Sequence, residues 1–312
     1  MMEIVRSRRF KPVFVVIFLL GALTARAADS SPSPSVGGTA EGSAALSSTA
    51  SPDGSIVLVT VSLPQGATGA GISASLEGTQ GIPFYPLPEK GGADQSLYQA
   101  VVAVPFNHKP GAVNIEVKVA GATGERKFVL PLTIVDGQYR SEVLKVDERK
   151  ISPRKKDLKR IMAEQDEIKA IYDQVTREKF WSGPFQLPLQ SIVTSPFGTK
   201  RVYNGEMKSF HQGVDFRASI GKPIHAPAPG LVVLAKNLFF TGNTVLIDHG
   251  YGVFTIYGHM SKLRVKKGDR VASGVVLGLA GMTGRANGPH LHWGAVVHNQ
   301  KINPIDLTKV MQ

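Results

Sequence analysis

Residues 288–297 read GPHLHWGAVV, and their alternation of side chains predicts a β-strand. Successive side chains of a strand point to opposite faces, so His290 and His292 share one face. The opposite face is apolar and carries Leu291, Trp293 and Ala295. Gly288–Pro289 forms a stiff turn that delivers the strand at a defined angle. The stretch therefore predicts a half-buried strand that presents two imidazoles to one site.

A second histidine pattern, His211-Gln-Gly-Val-Asp215, obeys the same geometry. On a strand, His211, Gly213 and Asp215 project to one side, while Val214 and Phe216 anchor the other side in the core. Gly213 between the two polar side chains leaves room for an ion. Imidazole and carboxylate groups are common metal ligands, so the two patterns together predict a metal site.

Both patterns lie in a glycine-rich region of short apolar strands, residues 183–312. Seven of the eight histidines of the chain fall there. Glycines at the turns predict a compact antiparallel β domain. The predicted strands are Thr244–Asp248, Val253–Tyr257, Val275–Leu279 and Leu291–Val297.

Five motifs of this region occur in an order that resembles the lysostaphin-type zinc metallopeptidases, which cut peptide bonds in bacterial peptidoglycan. The similarity runs from about Pro184 to Asp306. The motifs are SPFGTKRVYNGEMKSFHQGVDF (195–216), GNTVLIDHG (242–250), IYGHM (256–260), VKKGDRVASGVVLGLAGMTG (265–284) and GPHLHWG (288–294).

The resemblance implies a role for each matching residue. It implies one Zn²⁺ per chain, with three ligands, His211, Asp215 and His292. It further implies that His259 and His290 are the catalytic histidines beside the metal. Arg201 and Asn243 stand where that family keeps polar residues near its site, and we regard them as candidate substrate contacts.

The residue chemistry agrees with a zinc hydrolase. Two neutral imidazoles, one carboxylate and an open fourth position describe a catalytic zinc site, where a water can be acidified toward neutral pH. The chain has no cysteine, which excludes a thiol nucleophile, disulfides and thiolate ligands. It also lacks a His-Glu-x-x-His motif, so histidine must act as the general base. The sequence leaves open whether His259 or His290 does so. The other histidines, His108, His225, His249 and His298, are predicted to be structural.

The N-terminal half predicts a different kind of β structure. Residues 53–137 contain several runs of alternating apolar residues, for example Val113–Val119. They predict an immunoglobulin-like β-sandwich with no evident chemistry of its own, a spacer or a docking module. Residues 28–52 are rich in Ser, Ala, Gly and Pro, and we expect a flexible linker. Residues 1–27 resemble a signal peptide; an uncleaved membrane anchor is the alternative.

The helical connector, residues 138–182, contains the one strong helix pattern. Ser152–Pro153 predicts the helix start and Gly183–Pro184 closes the segment. Apolar residues recur near the helical period, namely Leu158, Ile161, Met162, Ile168, Tyr172 and Val175. We expect this helix to lie on the C-terminal domain, with an amphipathic membrane-surface helix as the alternative.

The charge distribution bears on partners. Residues 183–312 hold 14 basic and 5 acidic residues, a net charge of +9, whereas residues 28–147 are net acidic. A basic domain suits an anionic substrate or surface, and the absence of basic runs with interleaved aromatics argues against nucleic acid.

The sequence thus predicts an exported, monomeric zinc endopeptidase, periplasmic or extracellular, that cuts peptidoglycan stems or crosslinks. Membrane proximity is expected only through the N-terminal segment. Two other functions stay open: a non-catalytic wall-binding protein or activator of a wall amidase, and a general protease. The sequence does not choose the peptidoglycan bond.

Overall fold

Strands dominate the regular structure, as the alternating patterns predict. The computed structural model describes residues 37–39, 42–64, 71–90, 95–121, 124–144, 153–203 and 206–311. We call residues 37–137 the N-terminal lobe and residues 183–311 the C-terminal lobe. The predicted signal peptide lies outside the described residues. No helix within the described ranges is both long and apolar enough to cross a bilayer.

The N-terminal lobe consists of two five-stranded sheets. One has the strand order β1-β2-β4-β8-β7 and the other β3-β10-β9-β5-β6. All described pairings in these sheets are antiparallel except that of β3 with β10. The strands are β1 (Gly37–Thr39), β2 (Gly42–Leu46), β3 (Ala50–Pro52), β4 (Ile56–Pro64), β5 (Ile72–Leu76), β6 (Thr79–Pro83), β7 (Tyr85–Pro86), β8 (Gln95–Ala103), β9 (Gly111–Gly121) and β10 (Gly124–Val135).

The two sheets share one hydrophobic core. On β9, alternate residues from Val113 to Val119 are buried, and the residues between them are more exposed. This is the period of two that the sequence shows. β2, β4, β5, β8 and β10 add apolar side chains to the same core. The immunoglobulin-like character of this lobe and the domain boundaries at residues 53, 138 and 183 stay predictions.

The flexible linker predicted for residues 28–52 is wrong for its C-terminal part. β2 and β3 belong to the two sheets, and Ala44 and Leu46 are buried in the core. The alternation of these two strands is hard to recognise in the sequence, because most of their residues are Ser or Ala, which bury little apolar surface. A strand inside a sandwich tolerates such small residues, since the neighbouring strands supply most of the apolar area.

The C-terminal lobe is built on an eight-stranded sheet. Its order is β12-β15-β23-β19-β18-β17-β21, with β24 also paired to β23. Two three-stranded sheets, β11-β13-β14 and β16-β22-β20, flank it. The strands are β11 (Ser141–Leu144), β12 (Val193–Ser195), β13 (Lys200–Tyr203), β14 (Glu206–Phe210), β15 (Val214–Arg217), β16 (Pro223–His225), β17 (Gly230–Leu238), β18 (Gly242–Asp248), β19 (Val253–Met260), β20 (Lys262–Leu263), β21 (Arg270–Val271), β22 (Val276–Leu279), β23 (His290–Val297) and β24 (Gln300–Ile302).

In the part of the chain that the structure describes, two α-helices accompany these strands, α1 (Lys155–Tyr172) and α2 (Ile305–Val310). α1 lies on the C-terminal lobe, as expected: the Glu164 carboxylate accepts from the Phe239 amide at 2.7 Å. The Tyr172 ring packs edge-on against Phe254, with centroids 5.3 Å apart. The helix is shorter than predicted at both ends, with Arg154 as its N-cap.

Three of the predicted apolar positions of the helix are exposed: Leu158 by 43%, Met162 by 62% and Val175 by 42%. The buried face is correspondingly narrow and includes Ile161 and Tyr172. The helix ends at Tyr172, with Asp173 as its C-cap. The chain then runs to Trp181, whose ring is buried in a cluster with residues of both lobes.

An apolar contact joins the two lobes. Tyr85 of the N-terminal lobe packs edge-on against Trp181 and Tyr251, with ring centroids 5.4 and 5.3 Å away. Ile56 and Leu58 of β4 belong to the same buried cluster as Val253 of β19. Burial of this surface favours a fixed arrangement of the lobes.

Candidate metal centre

The first pair of predicted ligands comes together through a bend in the chain. β14 ends at Phe210 and β15 begins at Val214, so residues 211–213 are not part of a strand. The expected continuous strand through His211 and Asp215 is therefore wrong. The bend still brings the two side chains together, with His211 Nε2 3.1 Å from Asp215 Oδ1.

His292 enters the site from the neighbouring strand. β15 and β23 are antiparallel, and Asp215 lies directly opposite His292 in the register. His292 Nδ1 is 2.9 Å from Asp215 Oδ1 and 3.1 Å from His211 Nε2. One donor atom from each of the three residues lies within 4.8 Å of the others. Cross-strand pairing thus converts two distant sequence patterns into one cluster.

The hydrogen bonds of His211 determine which nitrogen faces the cluster. Its Nδ1 lies 3.1 Å from the carbonyl oxygen of Pro196 and 3.2 Å from Ser195 Oγ. A carbonyl oxygen can only accept, so Nδ1 carries the proton in the bond to Pro196. His211 Nε2 is then an unprotonated lone pair directed at Asp215 and His292, as a metal ligand requires.

Gly213 permits the close approach of His292. A Cβ at Gly213 would lie 2.6 Å from His292 Cε1 and 2.6 Å from the Trp293 carbonyl oxygen. Any larger residue would displace the ring or the strand. The space beside Gly213, which we predicted to leave room for an ion, is therefore occupied by the His292 imidazole.

His259 and His290 lie next to each other beside the cluster. Their ring centroids are 4.6 Å apart, and His290 Nε2 is 3.8 Å from Asp215 Oδ1. Each ring donates from Nδ1 to a backbone carbonyl oxygen at 2.8 Å, His259 to Thr283 and His290 to Gly288. Both Nε2 atoms are consequently free of protons when the rings are neutral.

The backbone of His259 is unusual. Its φ is +62°, in the left-handed region that non-glycine residues rarely adopt. Its amide donates to the Thr241 carbonyl oxygen at 2.6 Å, and this bond helps to hold the conformation. Burial lowers the pKa of His259 to about 4, against the opposing effect of its bond to Thr283, so the ring is neutral at pH 7. Strained backbone of this kind is typical of functional positions.

Asp215 is ionised in this environment. Burial, the largest influence, would raise the pKa of its carboxyl group, but the neighbouring His211 and His292 side chains lower it further than burial raises it. The cluster thus combines one carboxylate with two imidazoles that converge on one point. This donor set, of nitrogen and oxygen ligands without a thiolate, suits Zn²⁺.

Comparison with known proteins agrees with the site. The model of peptidase family M23 matches residues 209–304, which include all three residues of the cluster. A solved structure described as a putative peptidase M23 from Pseudomonas aeruginosa is 30% identical in sequence. The superposition of the two structures covers 83% of this chain and 96% of the chain in the solved structure, with a TM-score of 0.62. The chain belongs to peptidase family M23.

Curated relatives of this M23 chain have been named for their activity. Peptidoglycan DD-endopeptidase ShyA of Vibrio cholerae is 44% identical over 112 residues, 36% of this chain and 26% of that protein. DD-carboxypeptidase/endopeptidase Mpg of Neisseria meningitidis is 36% identical over 115 residues, 37% of this chain and 26% of that protein. The matched region thus spans about a quarter of the length of either relative.

The structure places one of the two predicted substrate contacts at the M23 cluster. Arg201 lies on β13, and its Nη2 atom is 3.8 Å from Asp215 Oδ2. Asn243 is the second residue of β18. Its side chain accepts a hydrogen bond from Asn237 Nδ2 at 3.1 Å and donates one to the Ser261 carbonyl oxygen at 3.3 Å. These contacts involve strand ends rather than the cluster. The substrate roles of Arg201 and Asn243 both stay predictions.

The remaining histidines lie in other surroundings. His249 is buried and bonded at both nitrogens, to the Pro229 carbonyl oxygen and to Thr255 Oγ1. His298 is half-buried on a turn, and His225 lies on β16. His108 lies in the N-terminal lobe, 2.7 Å from Glu77. These four histidines lie outside the His211, Asp215 and His292 cluster, and their structural role stays a prediction.

Sequence patterns missed the groups that orient the M23 histidines. They are mostly backbone carbonyl oxygens, of Pro196, Thr241, Thr283 and Gly288. Two side chains also take part. The Ser195 hydroxyl lies 3.2 Å from His211 Nδ1. The Thr283 hydroxyl donates to the Met260 carbonyl oxygen at 2.8 Å and accepts from the Asn243 amide at 2.9 Å. The glycines of the Gly281–Gly284 motif were the available signal, since they indicate close backbone packing.

Proposed function

We propose that this chain is a zinc-dependent endopeptidase that hydrolyses peptide bonds in peptidoglycan. The observation that carries the proposal is the convergence of His211, Asp215 and His292, with His259 and His290 beside them. The names of the curated relatives support the substrate class, and they make the D,D-crosslink the first bond to assay.

His211, Asp215 and His292 would hold one zinc ion per chain. When bound, zinc supplies Lewis-acid polarisation of the scissile carbonyl and lowers the pKa of water at the site. The two neutral imidazoles and the carboxylate leave one positive charge uncompensated, which favours a developing oxyanion.

His259 and His290 are the groups that would move or hold the reaction's proton. Their Nδ1 protons are committed to the Thr283 and Gly288 carbonyl oxygens, which leaves both Nε2 atoms free for the reaction. One Nε2 would accept the proton of the attacking water as general base, and the other histidine would steady the oxyanion in its protonated form, with its Nε2–H as donor. Either assignment satisfies the observed geometry.

The surroundings of the cluster suit an anionic peptide. The Arg201 guanidinium, beside Asp215, would bind a carbonyl or carboxylate of the substrate, and Asn243 would contact a more distant part of it. The net charge of +9 over residues 183–312 acts in the same direction. We also propose export to the periplasm or exterior by the N-terminal signal peptide, and action as a monomer.

The test is digestion of defined muropeptides by the purified full chain, followed by mass spectrometry. We expect cleavage that a chelator abolishes and zinc restores. His211→Ala should lower the rate by about 10³-fold or more, since zinc supplies several kcal/mol of transition-state stabilisation. His225→Ala, a histidine of the same lobe outside the cluster, is the matched control and should cleave normally.

Undiminished cleavage by the chelated protein or by His211→Ala would refute the proposal. Equal digestion of casein would show a general protease instead. Binding to sacculi without release of fragments, together with stimulation of a wall amidase, would show a non-catalytic activator.

A further inference from the structure

The Tyr139 ring bridges the N-terminal lobe and the turn that precedes the cluster. On one side it lies against the backbone of Gly198, whose φ is +76° and where a Cβ would overlap the ring. On the other side it lies against Gly137, where a Cβ would be 2.5 Å from Tyr139 Cζ. Glycine at both positions therefore allows the ring to fill the space between two backbone segments.

The N-terminal lobe holds this ring in place. The Tyr139 hydroxyl donates to the backbone carbonyl oxygen of Asp53. The Asp53 carboxylate is itself buried and accepts from the amides of Asn107 and Gly137, at 2.7 and 2.8 Å. These bonds join three separate segments of the lobe at one point, so Tyr139 is anchored in a rigid part of it.

The turn at residues 196–199 holds His211 through three hydrogen bonds. The Pro196 carbonyl oxygen accepts from the ring, at 3.1 Å. The Thr199 carbonyl oxygen accepts from the His211 amide at 2.9 Å, and the Gly198 amide donates to the His211 carbonyl oxygen at 2.8 Å. Because residues 211–213 are not part of a strand, these bonds take the place of strand pairing in fixing His211.

A ring of the N-terminal lobe itself, Phe106, supports the same turn. Phe106 packs edge-on against Phe197, within the turn, at a centroid distance of 4.9 Å. It also packs against Phe210, the residue before His211, at 5.1 Å. The Phe106 and Tyr139 rings contact each other at 5.2 Å. The N-terminal lobe thus touches the chain on both sides of the hydrogen bonds that hold His211.

We propose that Tyr139 is a positioning residue that fixes the metal ligand His211 by packing against the turn at residues 196–199. The N-terminal lobe is then part of the site's support rather than a spacer. This inference rests on the proposed function, since it takes His211 as a zinc ligand.

The experiment compares four full-length variants with the wild type, Tyr139→Ala, Tyr139→Phe, Phe106→Leu and Tyr85→Ala. Zinc affinity of the metal-free proteins is measured by competition with a chelating dye, and the Co²⁺-substituted proteins are compared by their visible spectra. Tyr85→Ala is the matched control, because it removes an aromatic ring from the other contact between the lobes. Thermal unfolding of each variant reports general destabilisation.

We expect Tyr139→Ala to weaken zinc binding by about tenfold or more, which is the usual loss when the support of a metal ligand is removed. The same variant should alter the Co²⁺ spectrum. Tyr139→Phe keeps the ring and should bind zinc as the wild type does. Phe106→Leu should show a smaller loss, and it decides the question if Tyr139→Ala does not fold. Tyr85→Ala should lose stability without a change in zinc affinity or spectrum.

Wild-type zinc affinity and spectrum in every folded variant would overturn the inference, as would equal losses in Tyr139→Ala and Tyr85→Ala. A wild-type protein that binds no zinc would be a different result, since it refutes the proposed function itself.

Discussion

The two lobes are both sheets of mainly antiparallel strands, but they bury different side chains. Among the described residues, the buried polar side chains of the N-terminal lobe are confined to Ser51, Asp53 and Ser55, in one turn. The C-terminal lobe buries polar and ionisable side chains on several strands and in the segments between them, namely Ser195, Thr199, His211, Asp215, Thr244, Asp248, His249, Thr255 and His259.

Such groups are costly to bury unless each is bonded, so their concentration in one lobe locates the chemistry there. The buried polar turn of the N-terminal lobe has an explanation of its own. The polar turn of the N-terminal lobe includes Asp53, whose backbone binds Tyr139 beside the C-terminal lobe. Part of the buried polarity in this protein therefore belongs to the cluster and its support, while the rest of the N-terminal lobe is stabilised by apolar packing.

The largest effect on activity is expected from His259 and His290, the two histidines beside the cluster that are not predicted metal ligands. His259→Gln and His290→Gln should each lower the rate of muropeptide cleavage by about 10²- to 10⁴-fold, the range for loss of a general acid or base. Zinc content should stay near one per chain, because His211, Asp215 and His292 are unchanged. Steady-state kinetics with metal analysis provides the measurement.

A matched substitution in the N-terminal lobe, His108→Gln, serves as the control and should leave the rate unchanged. A rate near that of the wild type in both His259→Gln and His290→Gln would contradict their assigned roles. Loss of zinc in either variant would instead place that histidine among the groups that hold the metal.

The fold was predictable where period-two alternation is strong. The alternating run Val113–Val119 lies within β9, and β23 places His290 and His292 on one face with Leu291 and Trp293 buried on the other. Alternation reports directly which side chains face a core. The N-terminal strand β2 escaped prediction because Ser43 and Ala45 differ too little in apolarity from Ala44.

The site was predictable as a set of residues but not as a geometry. Family resemblance supplied the residues, whereas the bend at residues 211–213 depends on bonds from the turn at 196–199. Backbone carbonyl oxygens are present at every residue and carry no sequence signal. The role of Tyr139 has the same origin, because it depends on Gly198, 59 positions away, having no side chain.

A smaller effect is expected from acid, acting on the buried histidines of the C-terminal lobe. Burial lowers the pKa of His249 from its usual 6.5 to about 4, although the bond to the Pro229 carbonyl oxygen acts in the opposite direction. The unfolded chain then binds this proton more readily than the folded protein between pH 6.5 and pH 4. His249 should therefore reduce the free energy of unfolding as pH falls through that window, by about 3 kcal/mol in all.

Urea unfolding of the wild type and of His249→Gln between pH 7 and pH 4.5 measures the contribution. The variant is expected to be less stable at pH 7, because it loses bonds to Pro229 and Thr255, but to depend less steeply on pH. His298, whose pKa burial also lowers to about 4, remains in both proteins and cancels from the difference. Parallel curves for the two proteins would show that His249 is not kept neutral by burial.

The smallest effect compares one methyl group placed in each lobe. A Cβ at Gly213 would be 2.6 Å from both His292 Cε1 and the Trp293 carbonyl oxygen, whereas a Cβ at Gly111 on β9 would meet no atom within 4 Å. Gly213→Ala should lower the free energy of unfolding by about 1–3 kcal/mol, as overpacking does, and should weaken zinc binding by displacing His292. Gly111→Ala should change stability by about 0.5 kcal/mol or less.

Chemical denaturation and zinc competition on both variants separate the two effects. If Gly213→Ala kept wild-type zinc affinity while losing stability, the strand β23 would have moved as a whole and His292 would not depend on the missing side chain. If both variants behaved alike, the close approach at Gly213 would have no energetic consequence. The expected difference follows from position alone, because the two substitutions add the same methyl group to the same kind of residue.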